Sequence, residues 1–566
     1  MRAKAFLTLI ITWSIFLFAS CHKVLDQKPL DQITDPQLWG NQSNVVLYTN
    51  NFYSQLTTGF GGSNIITGGA WLMSCLTDDA VTANANSTAQ KYYSTSSYDA
   101  YYRTISPIWT SRYTYIRRAN IYLSKIDGVP GDPQLNKRLK AEVRFLRAYY
   151  YYDLVQYYGA VPIITVAQDP RDSTLFPVRN TLDSCQRFIA NELDLAANDL
   201  PAQYSTADLG RITKQAAWGL KCRIQMMKAS STQSPQDWAA AAATAKGIMD
   251  LKANSLLTIA STDSSVLAKN YSSIFSTPNN AEMILSVQHN FNNTELATYF
   301  DYNNQSPYYG GLGSTCPTQN LVDDYEMMKT GLATSASGSG YNAANPYAGR
   351  DPRFYATILY DGVAFRNRNM QMYSGGQDMV NSSGQAYSNA TTPTGYYLRK
   401  FINESITPSG SVAASGYNWP LIRYAEVLLN YAESQNKAVG PDASVQAAIN
   451  QVRTRAGMPQ VATNLTQVGM DTVIRHERRV ELAFEDQRYW DAKRWGMAAT
   501  WFNSATGFTP TRKVTITYNA TTGVKTYSYG TNFNNSKTFA ARNYLFPIPQ
   551  SEIDIPGNKL TQNPGW

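Results

Sequence analysis

The stretch AEVRFLRAYYYYDLVQYYG, residues 141–159, limits this chain more than any other feature. At about 100° per residue, Phe145, Tyr149, Tyr152 and Gln156 share one stripe, with Leu146, Tyr150 and Asp153 beside it. A helix that is aromatic on most faces is buried between neighbours. The chain offers those neighbours. Helical phasing recurs at 107–126, 181–198, 211–229 and 236–252, and the third of these places Ala217, Leu220, Ile224 and Met227 on one face. Nearer the start, TDPQLWGNQSNVVLYTNNFYSQL reads as a helix with Thr34 or Asp35 as N-cap and Pro36 in the first turn.

From residue 281 the pattern changes. MILSVQH and FYATILYDG alternate like strands, and long polar loops run through 290–320, SASGSGYNAANPYAG and 361–394. Helices resume with NWPLIRYAEVLLNYAES and SVQAAINQVRTRAG, a hairpin is expected over 513–530 around Thr522-Gly523, and a Pro-rich extended tail follows. The expected organisation is mostly α. A leader covers 1–20 and a tether 21–40, and a single domain covers 41–566, with helical blocks at about 41–280 and 411–510, a loop-rich mixed insert at about 281–410, and the hairpin and tail at about 511–566.

The leader reading rests on Arg2 and Lys4 followed by the apolar run Ala5 to Phe18, which is short for a bilayer span. The run stops at Phe18-Ala19-Ser20-Cys21, which is similar to a bacterial lipobox with Phe where Leu is usual. On that reading Cys21 is acylated and tethers the rest of the chain to a membrane. Ordinary signal cleavage after Ala19 is the alternative. Cys75, Cys185, Cys222 and Cys316 are widely spaced and read as buried thiols, although an exported chain could pair them. The net charge of +8 is spread without a basic run, which argues against nucleic acid as a partner. Tyrosine, at 39 residues against 20 Phe, suits polar ligands with apolar faces such as sugars, as well as helix packing.

The segment HERRVELAFEDQRYWDAKRW, 476–495, poses a choice between catalysis, metal binding and scaffold. No second His follows His476 one turn later, and His22 and His289 are the only others, so no zinc set is expected. No cofactor is implied, and a structural cation is left open. Read as one helix, Val473, Val480, Ala483 and Phe484 form an apolar face that draws Glu477, Asp491 and Arg494 toward it. Glu477, Glu481 and Glu485 form a like-charge ladder, partly offset by Arg478–Glu481, Glu485–Arg488 and Asp491–Arg494. Buried charges need partners, for which Arg144, Arg147, Arg423, Arg453 and Arg455 are candidates. The segment is therefore read as a structural ion-pair network with no catalytic residue.

The motifs then resemble the SusD/RagB family, surface lipoproteins of glycan-feeding Gram-negative bacteria. The stretches that carry the resemblance are the tether from Cys21 to Pro29, AEVRFLRAYYYYDLVQYYGAVPII, RITKQAAWGLKCRI, RDPRFYATILYDG, NWPLIRYAEVLLNYAES, AINQVRTRAGMP, HERRVELAFEDQRYWDAKRWG and LFPIPQSEIDIPGNKLTQNPGW. The resemblance implies a scaffold of tetratricopeptide-like helix pairs and an irregular ligand-binding face. It implies a non-catalytic lipid-anchored protein at the outer-membrane surface, passing oligosaccharide to a SusC-like TonB-dependent transporter. Some relatives handle peptides.

Ligand contacts are expected in two loops rich in aromatic and planar polar side chains. One contains Trp71, Asp79, Asn84, Tyr92, Tyr93, Tyr98, Tyr101 and Arg103, and the other, YFDYNNQSPYY, contains Tyr302, Tyr308 and Tyr309. A surface glycoside hydrolase is the competing reading. It would need two carboxylates in one cleft, with Asp78, Asp79 and Asp301 as candidates.

Overall fold

The computed structural model describes residues 33–60, 72–83, 94–101, 106–169, 171, 175–289, 299–387, 390–406, 416–504, 509–531 and 536–566. Its first helical block contains α1 (Gln42–Tyr53), α2 (Ser106–Lys125), α3 (Pro133–Tyr158), α4 (Leu182–Asp199), α5 (Lys214–Thr232), α6 (Pro235–Leu251) and α7 (Ser264–Ser276). The second contains α8 (Tyr424–Val439), α9 (Ala443–Arg455), α10 (Gln467–Glu481) and α11 (Gln487–Arg494). Side-chain caps set many of the starts. Asp132 accepts the Gln134 N–H at 2.8 Å ahead of Pro133, and Thr181, Thr213, Ser234, Asp263, Asp442 and Thr466 serve the same role for α4, α5, α6, α7, α9 and α10. Helix α3 ends at Gly159, whose φ of 73° suits glycine.

Each helix from α2 to α5 packs on the next. Helix α1 lies on α3, and α8 returns against α6 before receiving α9 and α10. This places α3 inside. Tyr150, Tyr151 and Tyr158 are fully buried, and the hydroxyls of Tyr150 and Tyr151 donate to the carbonyls of Phe52 (2.7 Å) and Ile164 (3.0 Å). These tyrosines bury aromatic area while the polar tip finds a backbone acceptor.

The insert is bracketed by an antiparallel strand pair, Met283–Val287 with Trp419–Arg423, in which Met283 faces Arg423 and Val287 faces Trp419. The pair packs on α5 across Gly219, where an added Cβ would come within 3.0 Å of the Ile422 side chain. Trp419–Arg423 thus corrects the helical reading of NWPLIR. All five residues are buried, and cross-strand pairing replaces helix bonds. FYATILYDG is also corrected. Pro352–Thr357 is a short helix capped by Asp351, and only Ile358–Leu359 is strand. The expected hairpin is Arg512–Tyr518 paired with Lys525–Thr531. The four cysteines within the described residues are buried free thiols.

The charged segment 476–495 is not one helix. It breaks after Glu481, and Phe484 and Asp486 take positive φ of 64° and 59°. The break turns Glu485 and Asp486 away from the helical ladder. The Asp486 carboxylate accepts the Met73 N–H at 3.0 Å, and burial pushes its carboxyl up to about 7. The Arg478–Glu481 and Glu485–Arg488 pairs are therefore replaced by long-range ones, whereas Asp491–Arg494 forms at 2.9 Å.

Glu481 pairs with Arg353 (2.9 Å), Arg423 (2.6 Å) and Arg455. Glu477 pairs with Arg353 (2.5 Å) and Arg453 (3.0 Å), and Glu485 with Arg423 and Lys400, both at 2.7 Å. Glu282 also meets Arg423 and Arg455, at 2.7 and 3.1 Å. Beside this lattice, Arg478 holds Asp491 at 3.0 Å, Arg494 holds Glu433 at 2.6 Å, and Arg479 holds Asp78 and Asp79 at 3.0 and 2.8 Å. Arg488 adds a second bond to Asp78 at 2.9 Å. Of the expected partners, Arg423, Arg453 and Arg455 reach the lattice, whereas Arg144 and Arg147 bind Glu192 on α4.

Burial opposes ionisation of Glu481, but the surrounding guanidiniums of Arg455, Arg423 and Arg353 outweigh it and hold the carboxyl well below its ordinary value. Burial is likewise overcome by arginine at Glu477, Glu485, Glu433 and Asp491.

Two outcomes are expected. Glu481→Ala leaves three guanidiniums short of a partner and lowers unfolding free energy by about 3–5 kcal/mol in denaturant titration. The carboxyls of Glu477, Glu481 and Glu485 are depressed, so their stabilisation is complete above the glutamate value of 4.5 and is lost progressively as pH falls from there through the lower folded values. Thermal melts at pH 7, 5 and 3.5 should show little change over the first step and a steep drop over the second.

Candidate functional site

The insert folds a compact aromatic platform on this scaffold. A short helix, Phe300–Asn304, leads into the turn Pro307–Tyr309. Asp301 ties the helix down by accepting the Asn403 N–H at 2.7 Å. The returning strand is held by Leu312 N–H to the Tyr302 carbonyl (3.0 Å) and Ser314 N–H to the Asn303 carbonyl (2.8 Å). Between them, Gly311 donates to the Ser306 carbonyl, and a Cβ there would collide with the carbonyl oxygen of Gln305. Glycine is needed for that close approach.

Opposite the turn lies a tight hairpin in which Ala364–Phe365 pairs with Arg368–Asn369. Arg366, at its tip, has a φ of 57°. The hairpin aims two guanidiniums at the tyrosines. Arg368 sits 3.8 Å above the Tyr308 ring and 5.3 Å from Tyr309, and Arg366 sits 4.9 Å from Tyr309. Such contacts contribute about 0.5–1 kcal/mol each where exposed and more where dry.

The buried Asp378 locks this arrangement. It accepts from Arg368 (2.6 Å), the Ser306 hydroxyl (2.6 Å) and the Gln371 N–H (2.7 Å). The Tyr309 hydroxyl donates to the Phe365 carbonyl at 3.1 Å. The rings of Tyr308 and Tyr309 meet edge-on at 5.1 Å, and Tyr308 remains 43% exposed. Tyr299, at the other end of the short helix, is 49% exposed. The result is flat aromatic faces open to solvent with planar donors fixed beside them.

The structure distributes the expected contacts unevenly. Tyr308 and Tyr309 lie together in the platform, and Tyr302 is half-buried at its base. Asp79 is corrected. It is fully buried and held by Arg479, and its neighbour Asp78 is held by Arg479 and Arg488, because a buried carboxylate needs a cation. Asp79 is therefore part of the ion-pair framework, with no face left for a ligand.

Tyr98 is corrected as well. At 3% exposure it packs against Phe546 (5.5 Å) and Trp566 (4.9 Å) and receives a hydrogen bond from Asn543 at 2.9 Å, so it anchors the tail. Tyr101 is 73% exposed, and no ring contact joins it to the platform among the described residues. Cys21, Trp71, Asn84, Tyr92, Tyr93 and Arg103 lie outside the described residues. Arg366, Arg368 and Asp378 were not anticipated from sequence. The available signal was FRNRN, an Arg-x-Arg pair in an otherwise weakly charged loop.

Fold and platform together define a helix-pair scaffold carrying an irregular aromatic face, and comparison with known proteins gives this class a family. Residues 266–566 match the model of the SusD family, and residues 41–226 match one described as starch-binding associating with outer membrane. The chain belongs to the SusD family. It is 26% identical over 410 residues to SusD-like protein P25 of Formosa agariphila, covering 70% of this chain and 71% of that one.

Two solved structures from Bacteroides fragilis superpose closely. A SusD-like protein gives a TM-score of 0.78 at 25% identity, covering 95% of this chain and all of that one. A protein titled SusD-like carbohydrate binding protein gives 0.73 at 26% identity, covering 91% and 98%.

Gly311→Ala should force the 305–313 turn apart. We expect a loss of about 1–3 kcal/mol of stability by urea denaturation, together with easier proteolytic cleavage near residues 305–313.

Proposed function

We propose that this protein is a lipid-anchored receptor of the outer-membrane surface that captures oligosaccharides and hands them to a SusC-like TonB-dependent transporter. The observation that carries the reading is the tyrosine–arginine platform. Sugar rings present apolar C–H faces that stack on exposed aromatics such as Tyr308, and equatorial hydroxyls accept from guanidinium N–H groups such as those of Arg368. Asp378 fixes Arg368 before ligand arrives, so little ordering entropy is lost on binding. The carbohydrate-binding title of the Bacteroides fragilis relative is in keeping with this.

Binding without hydrolysis is part of the same reading. Asp78 and Asp79 are committed to Arg479 and Arg488, and Asp301 to the Asn403 N–H, which leaves no facing pair of these carboxylates to act as acid and nucleophile. Anchoring through Cys21 follows from the lipobox-like sequence, since several acyl chains on one thiol hold far more firmly than one.

Calorimetry against a panel of oligosaccharides tests the binding step. At least one glycan should bind with micromolar to millimolar affinity. Tyr308→Ala should weaken it about tenfold, or about 1.4 kcal/mol, with melting unchanged. Absence of binding across the panel, or full affinity in the variant, would remove the platform from the function. For the anchor, cells fed radiolabelled palmitate should label the native chain and not Cys21→Ala, and the variant should leave the membrane fraction.

A further inference from the structure

A second cavity lies in the helical block, away from the platform. It is a half-open cleft of about 670 Å³ among α3, α5, α8, α11 and the 544–545 segment. That volume is in the range of small-molecule sites. Val155, Leu182, Met226, Met227, Trp490 and Leu545 give it a mainly apolar wall.

Its charges do not balance. Arg223 is answered by Glu426 at 2.7 Å, Arg478 by Asp491 at 3.0 Å, and Arg494 by Glu433 at 2.6 Å. Among the described residues Arg179 has only neutral acceptors: the carbonyls of Tyr158, Ala160 and Thr561, and the side-chain oxygen of Asn563.

Lys493 has none. Its ammonium is enclosed, donates to no partner among the described residues, and lies 4.7 Å from the Trp490 ring, 5.2 Å from Tyr489 and 5.6 Å from Phe546. The buried Ser230 hydroxyl in the same wall is also without a partner. An unpaired buried ammonium is costly, and aromatic faces offset only part of that cost. Burial accordingly pulls Lys493 down to about 7. A protein core gains nothing from such a group, whereas a site that receives an anion does.

We propose that this cleft binds an organic carboxylate carried on an apolar body. Its oxygens pair with the Lys493 ammonium, and its apolar part lies against Val155, Met226, Met227 and Trp490. The site is independent of the glycan reading, since none of the platform residues lines it.

The test uses the purified full chain and dansylated undecanoate, read by the rise in dansyl fluorescence. Saturable micromolar binding is expected, with displacement by decanoate. The methyl ester of the probe should bind at least tenfold more weakly than the acid. Lys493→Met removes an unpaired buried charge, so its melting temperature should hold or rise while affinity for the acid falls at least tenfold to the level of the ester. Lys493→Arg, which keeps the charge, should retain most of the binding. Equal affinity for acid and ester, unchanged acid binding in Lys493→Met, or no saturable signal would each overturn the proposal. Should Lys493→Met not fold, the acid-to-ester comparison on the unaltered chain decides alone.

Discussion

The buried contact between Glu481 and three arginines is the keystone of this architecture. Each arginine comes from a different part of the chain: Arg353 from the insert, Arg423 from the strand that closes it, and Arg455 from α9. A single carboxylate therefore fixes the insert, the central strand pair and the second helical block relative to one another. Charges in a dry interior are costly unless they are matched. That requirement is directional in a way hydrophobic packing is not. Apolar surfaces can slide past each other at small cost, but a guanidinium between two carboxylates has one good position. The lattice thus fixes how these segments sit relative to one another, and the aromatic layers around α3 add buried apolar area.

The tyrosines divide by the same logic into two populations. Those on α3 lie inside, and the hydroxyls of Tyr150 and Tyr151 are spent on backbone carbonyls. Near residue 300, arginines lie over the rings of Tyr308 and Tyr309, and Tyr299 and Tyr308 keep a face toward solvent. The excess of tyrosine in the composition thus reports packing and surface chemistry at once, and only position separates them.

The helical blocks were legible because their signals are local. Caps such as Asp132 and Thr181, and apolar positions repeating every three to four residues, act within a single helix. Even so, α7 was missed. Its serine-rich sequence hid the Leu267, Tyr271, Ile274 and Phe275 face, though Asp263 stood as its cap. The break in 476–495 was not visible, since left-handed residues at Phe484 and Asp486 are imposed by distant partners, Met73 and the arginines of the lattice. In the platform, Tyr308 and Tyr309 stand out in the aromatic loop YFDYNNQSPYY. Asp79 and Tyr98 could not be told from them, because burial is decided by residues hundreds of positions away. Arg353 and Lys400 were overlooked for the same reason.

The strand pair Met283–Val287 and Trp419–Arg423 has a consequence for how such a fold can change. It pins both ends of the intervening excursion side by side, so the excursion begins and finishes at one spot on the helical body. Loops of other lengths and compositions could be exchanged there without moving a helix. The lattice sets a condition on the exchange. Whatever is grafted must send a guanidinium back to Glu477 and Glu481 and an amine back to Glu485, as Arg353 and Lys400 do. Sequence can drift in the loops, while two buried cations act as the plug that any new module has to fit.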